Sequence, residues 1–258
     1  MQLIIAGFHR SGTSVTAQLL RAAGLFVGDR LYGASPANPY GHFEDLDVVE
    51  IHQSIMEAHG DDWQWDQPFP FRVGRRHWTA IEELVQRRNA AYPLWGFKDP
   101  RACLMLGMWK HVVPDAKVLV VYRDPGECVR SLEFRHASAY FEGRGNLERS
   151  LRFFREPDHG LRVWDVYNRA VLSYASRHES DCLVLPISQL QAGEPVVDRV
   201  NRRFGLDLAD VPTTAVYDPQ VTGSRTLPQR VHSPDVEARV METWQALDAL
   251  ATKTGGRG

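Results

Sequence analysis

The feature that most constrains the fold is the N-terminal segment, where an apolar run leads through a glycine-flanked loop into a helical pattern. Residues 2–6 form the apolar run, and the loop extends from Gly7 to Gly12. From Thr13 to Ala23, apolar residues recur at the spacing of one helix face, and Gly24 is a typical helix end. A buried strand followed directly by a helix is typical of a parallel sheet covered by helices.

The same alternation continues along the chain. Further strands are predicted at residues 94–97, 117–122 and 182–186. Helices are predicted at residues 44–59, 75–91, 102–113, 126–136, 161–178, 194–204 and 234–252. The polar, arginine-rich stretch 137–160 permits no assignment. We therefore expect an α/β fold, a three-layer α/β/α arrangement with a central, mainly parallel sheet. We expect one domain over residues 1–258, with a disordered tail from about residue 253.

The first loop resembles a phosphate-binding P-loop that lacks its lysine. Gly7 to Ser14 reads G-F-H-R-S-G-T-S, against the pattern G-x-x-x-x-G-K-[ST]. Thr13 stands at the lysine position, and Arg10 supplies a cation inside the turn. Backbone amides and the helix N-terminus still favour an anion, whereas the missing lysine argues against ATP hydrolysis. The alternative is an ordinary strand-to-helix turn in which Ser11 or Thr13 caps the helix.

A second anion site is predicted after the strand 117–122. Arg123 stands at the strand end, where an NTPase often has a metal-binding acid, and Ser131 lies eight positions later on the next helix. Ligands bind at the carboxyl ends of parallel strands, so Arg123 and Ser131 can bracket one phosphate near the first loop. Taken singly, each could be an ordinary surface residue. Two adjacent anion sites indicate a donor with phosphate at both ends.

These two segments together resemble the two cofactor motifs of the sulfotransferase family, in its bacterial-type branch with an R-S-G-T loop. The second segment reads V-Y-R-D-P-G-E-C-V-R-S over residues 121–131. Two more segments, N-P-Y-G-H-F-E-D (38–45) and F-K-D-P-R (97–101), also resemble bacterial members. The resemblance covers about the first 135 residues. The cytosolic branch of the family carries a lysine where Arg10 stands.

The resemblance implies a P-loop-type enzyme that uses 3′-phosphoadenosine 5′-phosphosulfate (PAPS), releases adenosine 3′,5′-bisphosphate (PAP) and requires no metal. It implies that the 5′-phosphosulfate is held by Arg10, Ser11, Gly12, Thr13 and Ser14. It assigns the 3′-phosphate to Arg123 and Ser131, with Arg225 as a further candidate in a segment that closes over this phosphate in relatives.

The acceptor hydroxyl must lose a proton, so a general base is expected within hydrogen-bond reach. Relatives with an R-S-G-T loop have a downstream glutamate as base, which makes Glu44 the first candidate. The alternative for Glu44 is a capping or dipole role at a helix start. His42 is the other candidate base, or else a loop histidine with a structural hydrogen bond.

The segment after the second strand supplies further charged candidates. Lys98 is a candidate electrophile near the leaving oxygen, with Asp99 as its orienter, and Arg10 is a cation beside the transferred group. Arg101 could contact an acidic acceptor or the donor. The alternative is a strand-end cluster of ion pairs that shapes the loop.

The sequence contains no specific motif for the acceptor, which we expect to be a hydroxyl of a carbohydrate or small molecule. Aromatic residues that could stack on it, or could simply cover a loop, are Trp63, Trp65, Phe69, Phe71 and Trp78. The arginines of the stretch 137–160 could belong to a lid or to a solvated face.

Composition limits the other possibilities. A net charge of −2 gives no reason to expect nucleic acid or an anionic membrane as partner. The three cysteines, Cys103, Cys128 and Cys182, have neither metal-site nor disulfide-framework spacing. There is no signal-peptide pattern and no membrane-length apolar run, so a cytoplasmic protein is expected.

Two other functions fit parts of the pattern. A P-loop kinase would require lysine at position 13 and a metal-binding acid at a strand end, where this chain has Thr13 and Arg123. A degenerate P-loop module would bind nucleotide without transferring a group.

Overall fold

The computed structural model describes residues 1–34, 40–60, 63–217 and 230–255. Within them, four strands pair in parallel to form one sheet with the order β2-β1-β3-β4. The strands are β1 (Gln2–Ala6), β2 (Trp95–Lys98), β3 (Lys117–Tyr122) and β4 (Cys182–Pro186). Each predicted strand is therefore present, within one residue of its expected limits.

Helices fill the connections between the strands and the C-terminal part of the chain. They are α1 (Thr13–Ala22), α2 (Leu46–Glu57), α3 (Arg75–Ala91), α4 (Leu106–Val112), α5 (Pro125–Phe141), α6 (Leu147–Arg155), α7 (His159–Arg177), α8 (Ile187–Gln191), α9 (Val196–Phe204) and α10 (Pro234–Gly255). None of these described helices is long and apolar enough to cross a bilayer.

Alternate strand residues enter two separate cores, one on each face of the sheet. Leu3 and Ile5 pack on one face with apolar residues of α1 and α9. Ile4 and Ala6 pack on the other face with apolar residues of α2, α3, α7 and α10. Because side chains along a strand point to opposite faces in turn, a strand buried on both sides needs helices on both sides. The predicted three-layer α/β/α fold is confirmed.

Several predicted helix limits are wrong, for local reasons. The helix expected at residues 44–59 begins at Leu46, because the Asp45 carboxylate accepts a hydrogen bond from the Asp47 N–H (3.1 Å) and caps it. The helix expected at 102–113 is a 3₁₀ turn over Pro100–Leu104 followed by α4. The last helix continues to Gly255, so residues 253–255, expected in a disordered tail, are helical.

The unassigned stretch 137–160 contains the end of α5, all of α6 and the first residues of α7. Helix α6 is capped by the Asn146 side chain, which accepts a hydrogen bond from the Arg149 N–H. Its buried residues are Ser150 and Phe153, whereas Leu147 and Phe154 are exposed. The narrow buried stripe explains why the sequence pattern did not show it. Helix α8 is also absent from the prediction.

The strand order creates a crevice beside β1. The chain leaves β1 toward β2 on one side and later places β3 on the other side. The loops that follow β1 and β3 therefore diverge at the carboxyl edge of the sheet, where open α/β sheets bind ligands. These are the two loops in which the sequence predicts anion-binding residues.

Candidate active site

Glycines allow the first loop to leave β1 and to start α1. A Cβ atom on Gly7 would lie 2.2 Å from the Val121 carbonyl oxygen of β3, so only glycine fits this close approach. Gly12 has φ 90° and is the N-cap residue of α1. The first N–H groups of a helix have no intrahelical acceptor, and those of Thr13 and Ser14 are therefore available to an anion.

Arg10 is held in a strained position inside this loop and reaches the second predicted site. Its φ of 67° lies in the left-handed region that a residue with a side chain rarely adopts. Its Nε donates a hydrogen bond to Ser131 Oγ on α5, at 2.8 Å. Arg123 Nη1 donates to the Arg10 carbonyl oxygen at 3.4 Å, and Arg123 Nε pairs with Glu127 at 2.6 Å. Residues more than 110 positions apart thus meet at one point.

The contacts differ in one respect from the assignment made by resemblance. That assignment separates Arg10, with the 5′-phosphosulfate, from Arg123 and Ser131, with the 3′-phosphate. In the structure Arg10 contacts both members of the second pair. Arg10 therefore lies between the two predicted anion positions.

Ser11 has its polar groups already engaged inside the protein. Its side chain is fully buried, its N–H donates to the Phe8 carbonyl oxygen at 3.1 Å, and its Oγ lies 3.5 Å from Cys128 Sγ. In this arrangement Ser11 shapes the loop. Thr13 is also buried, whereas Ser14 is half-buried. Arg225, the remaining candidate for the 3′-phosphate, lies outside the described residues.

The candidate base Glu44 lies just before the α2 cap and forms an ion pair with the candidate electrophile. Lys98 Nζ donates to Glu44 Oε1 at 2.6 Å. Lys98 is almost completely buried at the end of β2, and the Glu44 side chain is 13% exposed. Arg101 Nη2 lies 3.9 Å from the other carboxylate oxygen of Glu44. Of the two alternatives for Glu44 at a helix start, the capping role is wrong, because Asp45 is the residue that caps α2.

The prediction that Asp99 orients Lys98 is also wrong, because Asp99 binds Arg101 and His52. Arg101 Nε lies 2.9 and 3.1 Å from the two carboxylate oxygens, and His52 Nδ1 lies 2.9 Å from Oδ2. Burial by itself would raise the pKa of Asp99, but Arg101 and His52 outweigh it and hold this pKa well below its usual range. Asp99 is thus a buried, ionised carboxylate that fixes Arg101.

The tautomer of His52 follows from its second partner. Trp109 Nε1 can only donate a hydrogen bond, and it lies 2.8 Å from His52 Nε2. His52 Nε2 must therefore accept, which leaves the ring hydrogen on Nδ1 to donate to Asp99. No sequence signal marks His52, because it is a single histidine on the buried face of α2.

Two histidines line the site in neutral form. Burial is the main cause that lowers the pKa of His42 to about 4; Glu44 opposes this shift and Lys98 adds to it. Burial, followed by the charges of Arg101 and Arg135, lowers the pKa of His9 well below its usual value. The Nε2 atom of His9 is buried without a hydrogen-bond partner among the described residues.

The aromatic residues contact the protein itself. Trp63, Trp65, Phe69 and Trp78 pack against the core, whereas Phe71 is exposed. Trp63 approaches the first loop, with its ring centroid 4.2 Å from that of His9. The alternative that these residues cover a loop is therefore the one the structure favours for four of the five.

An ionic cluster fastens this aromatic segment to α6 and α7. Asp66 lies 3.2 Å from Arg152, and Glu156 lies 2.7 Å from Arg162. His159 is 3.4 Å from Asp66, which brings together three residues of metal-ligand type. Because guanidinium groups already contact these carboxylates, we assign the cluster a structural role, in which it holds the aromatic segment against α6 and α7.

Comparison with known proteins gives one family match and several structural ones. A family model described as "Sulfotransferase family" matches residues 2–210. Among solved structures, a sulfotransferase from Alicyclobacillus acidocaldarius is similar with a TM-score of 0.49 and 16% identity, over 96% of this chain and 94% of that chain. Sulfotransferase STF1 from Mycobacterium tuberculosis H37Rv has a TM-score of 0.48 and 15% identity, over 98% of this chain and 76% of that chain.

A third similar structure is the sulfotransferase domain of the Synechococcus PCC 7002 olefin synthase. Its TM-score is 0.46 at 15% identity, over 97% of this chain and 94% of that chain. A search of curated protein sequences found no significant match. The family match extends past the first 135 residues, in which the sequence motifs lie, to the loop after α9.

Proposed function

The chain belongs to the sulfotransferase family, and we propose that it transfers a sulfuryl group from PAPS to a hydroxyl of a carbohydrate or small-molecule acceptor. The observation that supports this most directly is the meeting of Arg10, Arg123 and Ser131, with Arg10 Nε 2.8 Å from Ser131 Oγ. Two cations and a hydroxyl beside a helix N-terminus suit a ligand with two separate anionic groups.

In this proposal each end of the donor has its own residues. The backbone amides of the N-cap residue Gly12 and of Thr13 and Ser14, with the guanidinium of Arg10, hold the 5′-phosphosulfate. Arg123 and Ser131 hold the 3′-phosphate, and Ser11 keeps the loop in shape. Arg225 stays a further candidate for the 3′-phosphate. Thr13 in place of the Walker lysine supports a reaction without Mg²⁺.

The chemistry proposed for the site depends on the ion pair of Glu44 with Lys98. Glu44 takes the proton of the acceptor hydroxyl as the acceptor oxygen bonds to sulfur. Lys98 donates its hydrogen bond to the bridging oxygen between sulfur and phosphorus. As the new bond to sulfur forms, the bond between sulfur and this bridging oxygen breaks, and the oxygen leaves with PAP. Arg10 stabilises charge on the transferred group.

His42 is the alternative base. A pKa of about 4 leaves His42 neutral at pH 7, so it can accept a proton, but it also makes the ring a weak base. Glu44 is the carboxylate at hydrogen-bond distance from Lys98, so we place the proton transfer on Glu44.

The experiment that tests the donor is calorimetric titration with PAP, with and without Mg²⁺, and with ATP for comparison. We expect PAP to bind tightly without metal, and Arg123→Ala to abolish this binding. Arg130→Ala is the matched control, because Arg130 is an exposed arginine on α5, the helix that follows Arg123. No binding of PAP, or preference for ATP with Mg²⁺, would overturn the proposal in favour of a kinase.

A turnover assay distinguishes the proposed sulfotransferase from a module that only binds nucleotide. Single-turnover incubation with ³⁵S-labelled PAPS and a panel of hydroxyl compounds should move label to an acceptor. PAP binding without any transfer would indicate the binding module.

The three cysteines are free and buried, which agrees with our further proposal that the enzyme works in the reducing cytoplasm.

A further inference from the structure

We infer that the acceptor carries a negatively charged group, in addition to the hydroxyl that is sulfated, and that Arg135 binds this group. The inference rests on the proposed function and assigns the substrate class of the same site. It depends on the position of Arg135, on its having no counter-charge among the described residues, and on the ion pairs that neighbouring cations form.

Arg135 lies beside the proposed donor site. It follows Ser131 by four residues on α5, and residues four apart lie on the same helix face. Ser131 contacts Arg10 of the first loop at 2.8 Å. The next residue, His136, stacks on Trp63 (5.8 Å between centroids), whose ring lies 4.2 Å from that of His9. This part of α5 therefore packs along the first loop, and Arg135 is half-buried there.

Unlike Lys98, Arg101 and Arg123, Arg135 has no ion-pair partner among the described residues. Lys98 pairs with Glu44, and Arg101 pairs with Asp99. Arg123 pairs with Glu127 at 2.6 Å. Arg135 forms neither a hydrogen bond nor an ion pair with any residue in the described part of the chain. A partly buried guanidinium without a counter-charge is costly, and an anionic ligand removes that cost.

The pKa values of three neighbouring histidines show that the charge of Arg135 acts across the site. Burial is the main cause that lowers the pKa of His9, His42 and His136, and the charge of Arg135 adds to it in each case. These rings belong to the first loop, to the loop before α2 and to α5. The positive field therefore extends over the side of the site that contains Glu44 and remains uncompensated by the neutral rings.

The anions of the donor already have other partners in the proposed function. The first-turn amides of α1 with Arg10 take one end of PAPS, and Arg123 with Ser131 takes the other. The acceptor is the ligand left to provide the counter-charge for Arg135. A carboxylate is the simplest such group, since it binds a guanidinium through two parallel hydrogen bonds.

The test compares hydroxy acids with the neutral amides of the same compounds. The pairs are 4-hydroxyphenylacetate with 4-hydroxyphenylacetamide, 3-hydroxybutyrate with 3-hydroxybutyramide, and glucuronate with glucuronamide. PAP binding is measured first, so that failure of the proposed function is recognised separately. Each compound is then tested for binding to the PAP-saturated protein by its thermal shift, and for turnover with PAPS.

In at least one pair we expect the acid to bind or react about 10-fold better than its neutral partner, as one charge-assisted contact provides. Arg135→Gln should remove this preference and leave PAP binding unchanged. Arg130→Gln, at an exposed position of the same helix, should retain the preference. The inference is overturned if PAP binds but no acid does, if neutral members are equal or better, or if the preference survives in Arg135→Gln.

Discussion

At the residue scale, the ion pair of Glu44 with Lys98 decides how the proposed chemistry can start. The two groups are 2.6 Å apart and largely buried, so each compensates the charge of the other in the resting protein. A ligand that draws Lys98 away leaves Glu44 as an unpaired carboxylate able to take a proton. In the proposed chemistry the pair therefore links proton transfer to occupancy of the donor position.

Replacement of the proposed base tests this link. Glu44→Gln retains the shape and a hydrogen-bond acceptor for Lys98 but cannot take a proton. We expect kcat to fall by roughly 10²- to 10⁴-fold, while calorimetric PAP binding stays within about 2-fold. Glu50→Gln is the control, because the Glu50 side chain is 65% exposed on α2. An unchanged kcat in Glu44→Gln would eliminate Glu44 as base and leave His42.

The sequence identifies some of these residues and not others. Arg10, Arg123 and Ser131 belong to two contiguous motifs, so local spacing is enough to predict them. His52 acts through contacts with Asp99 and Trp109, 47 and 57 positions away, and no local pattern records such contacts. The same reason explains why the expected pairing of Asp99 with Lys98 is wrong.

At the element scale, the start of α1 is the feature on which the proposed anion site depends. Gly12 joins the loop to the helix with a positive φ, and the side chain of Ile187 from α8 packs against it.

The strands and the long helices are predictable from the sequence because their apolar periods are local. Helix α8 and the sheet order are not, because one is too short for a period and the other depends on pairing between distant residues.

Gly12→Ala should therefore act through both backbone strain and overlap. A Cβ atom would lie 2.3 Å from Ile187 Cδ1. We expect a loss of unfolding free energy of about 1–2 kcal/mol from the left-handed backbone and about 1–3 kcal/mol from overpacking, measured by urea unfolding.

Gly24→Ala is the matched control, because Gly24 also has a positive φ (103°) but no atom within 4 Å of the added Cβ. It should show the backbone loss alone. In the background of Ile187→Ala, the further cost of Gly12→Ala should fall to that of Gly24→Ala. Equal losses for the two alanine variants in the original chain would contradict the overlap.

At the scale of the whole molecule, buried histidines make the fold sensitive to acid. Burial is the main cause that lowers the pKa of five rings, those of His9, His42, His77, His136 and His159. Each ring is neutral in the folded chain at a pH where the unfolded chain binds a proton. Acid therefore favours the unfolded chain.

His136 allows this to be measured on one ring. Burial, with the charges of Arg135 and His159, lowers its pKa from 6.5 to about 4. Above pH 6.5 neither state is protonated there, so the ring has no effect on the pH dependence. As the pH falls from 6.5 toward 4, only the unfolded state gains the proton, and up to about 3 kcal/mol of stability is lost.

We therefore expect the free energy of unfolding, measured by urea titration between pH 7 and pH 5, to fall less steeply with acid in His136→Phe than in the original protein. Phenylalanine keeps the stacking on Phe153, where the ring centroids are 4.4 Å apart, and removes the titrating group.

Asp45 has the opposite effect on the pH dependence, because burial raises its pKa to about 6. This effect is equal in both proteins, so it cancels in the comparison. His111→Phe, at an exposed position, controls for the loss of a histidine. Identical slopes in His136→Phe and the original protein would show that His136 is protonated in the folded chain as readily as in the unfolded one, and that the acid sensitivity arises elsewhere.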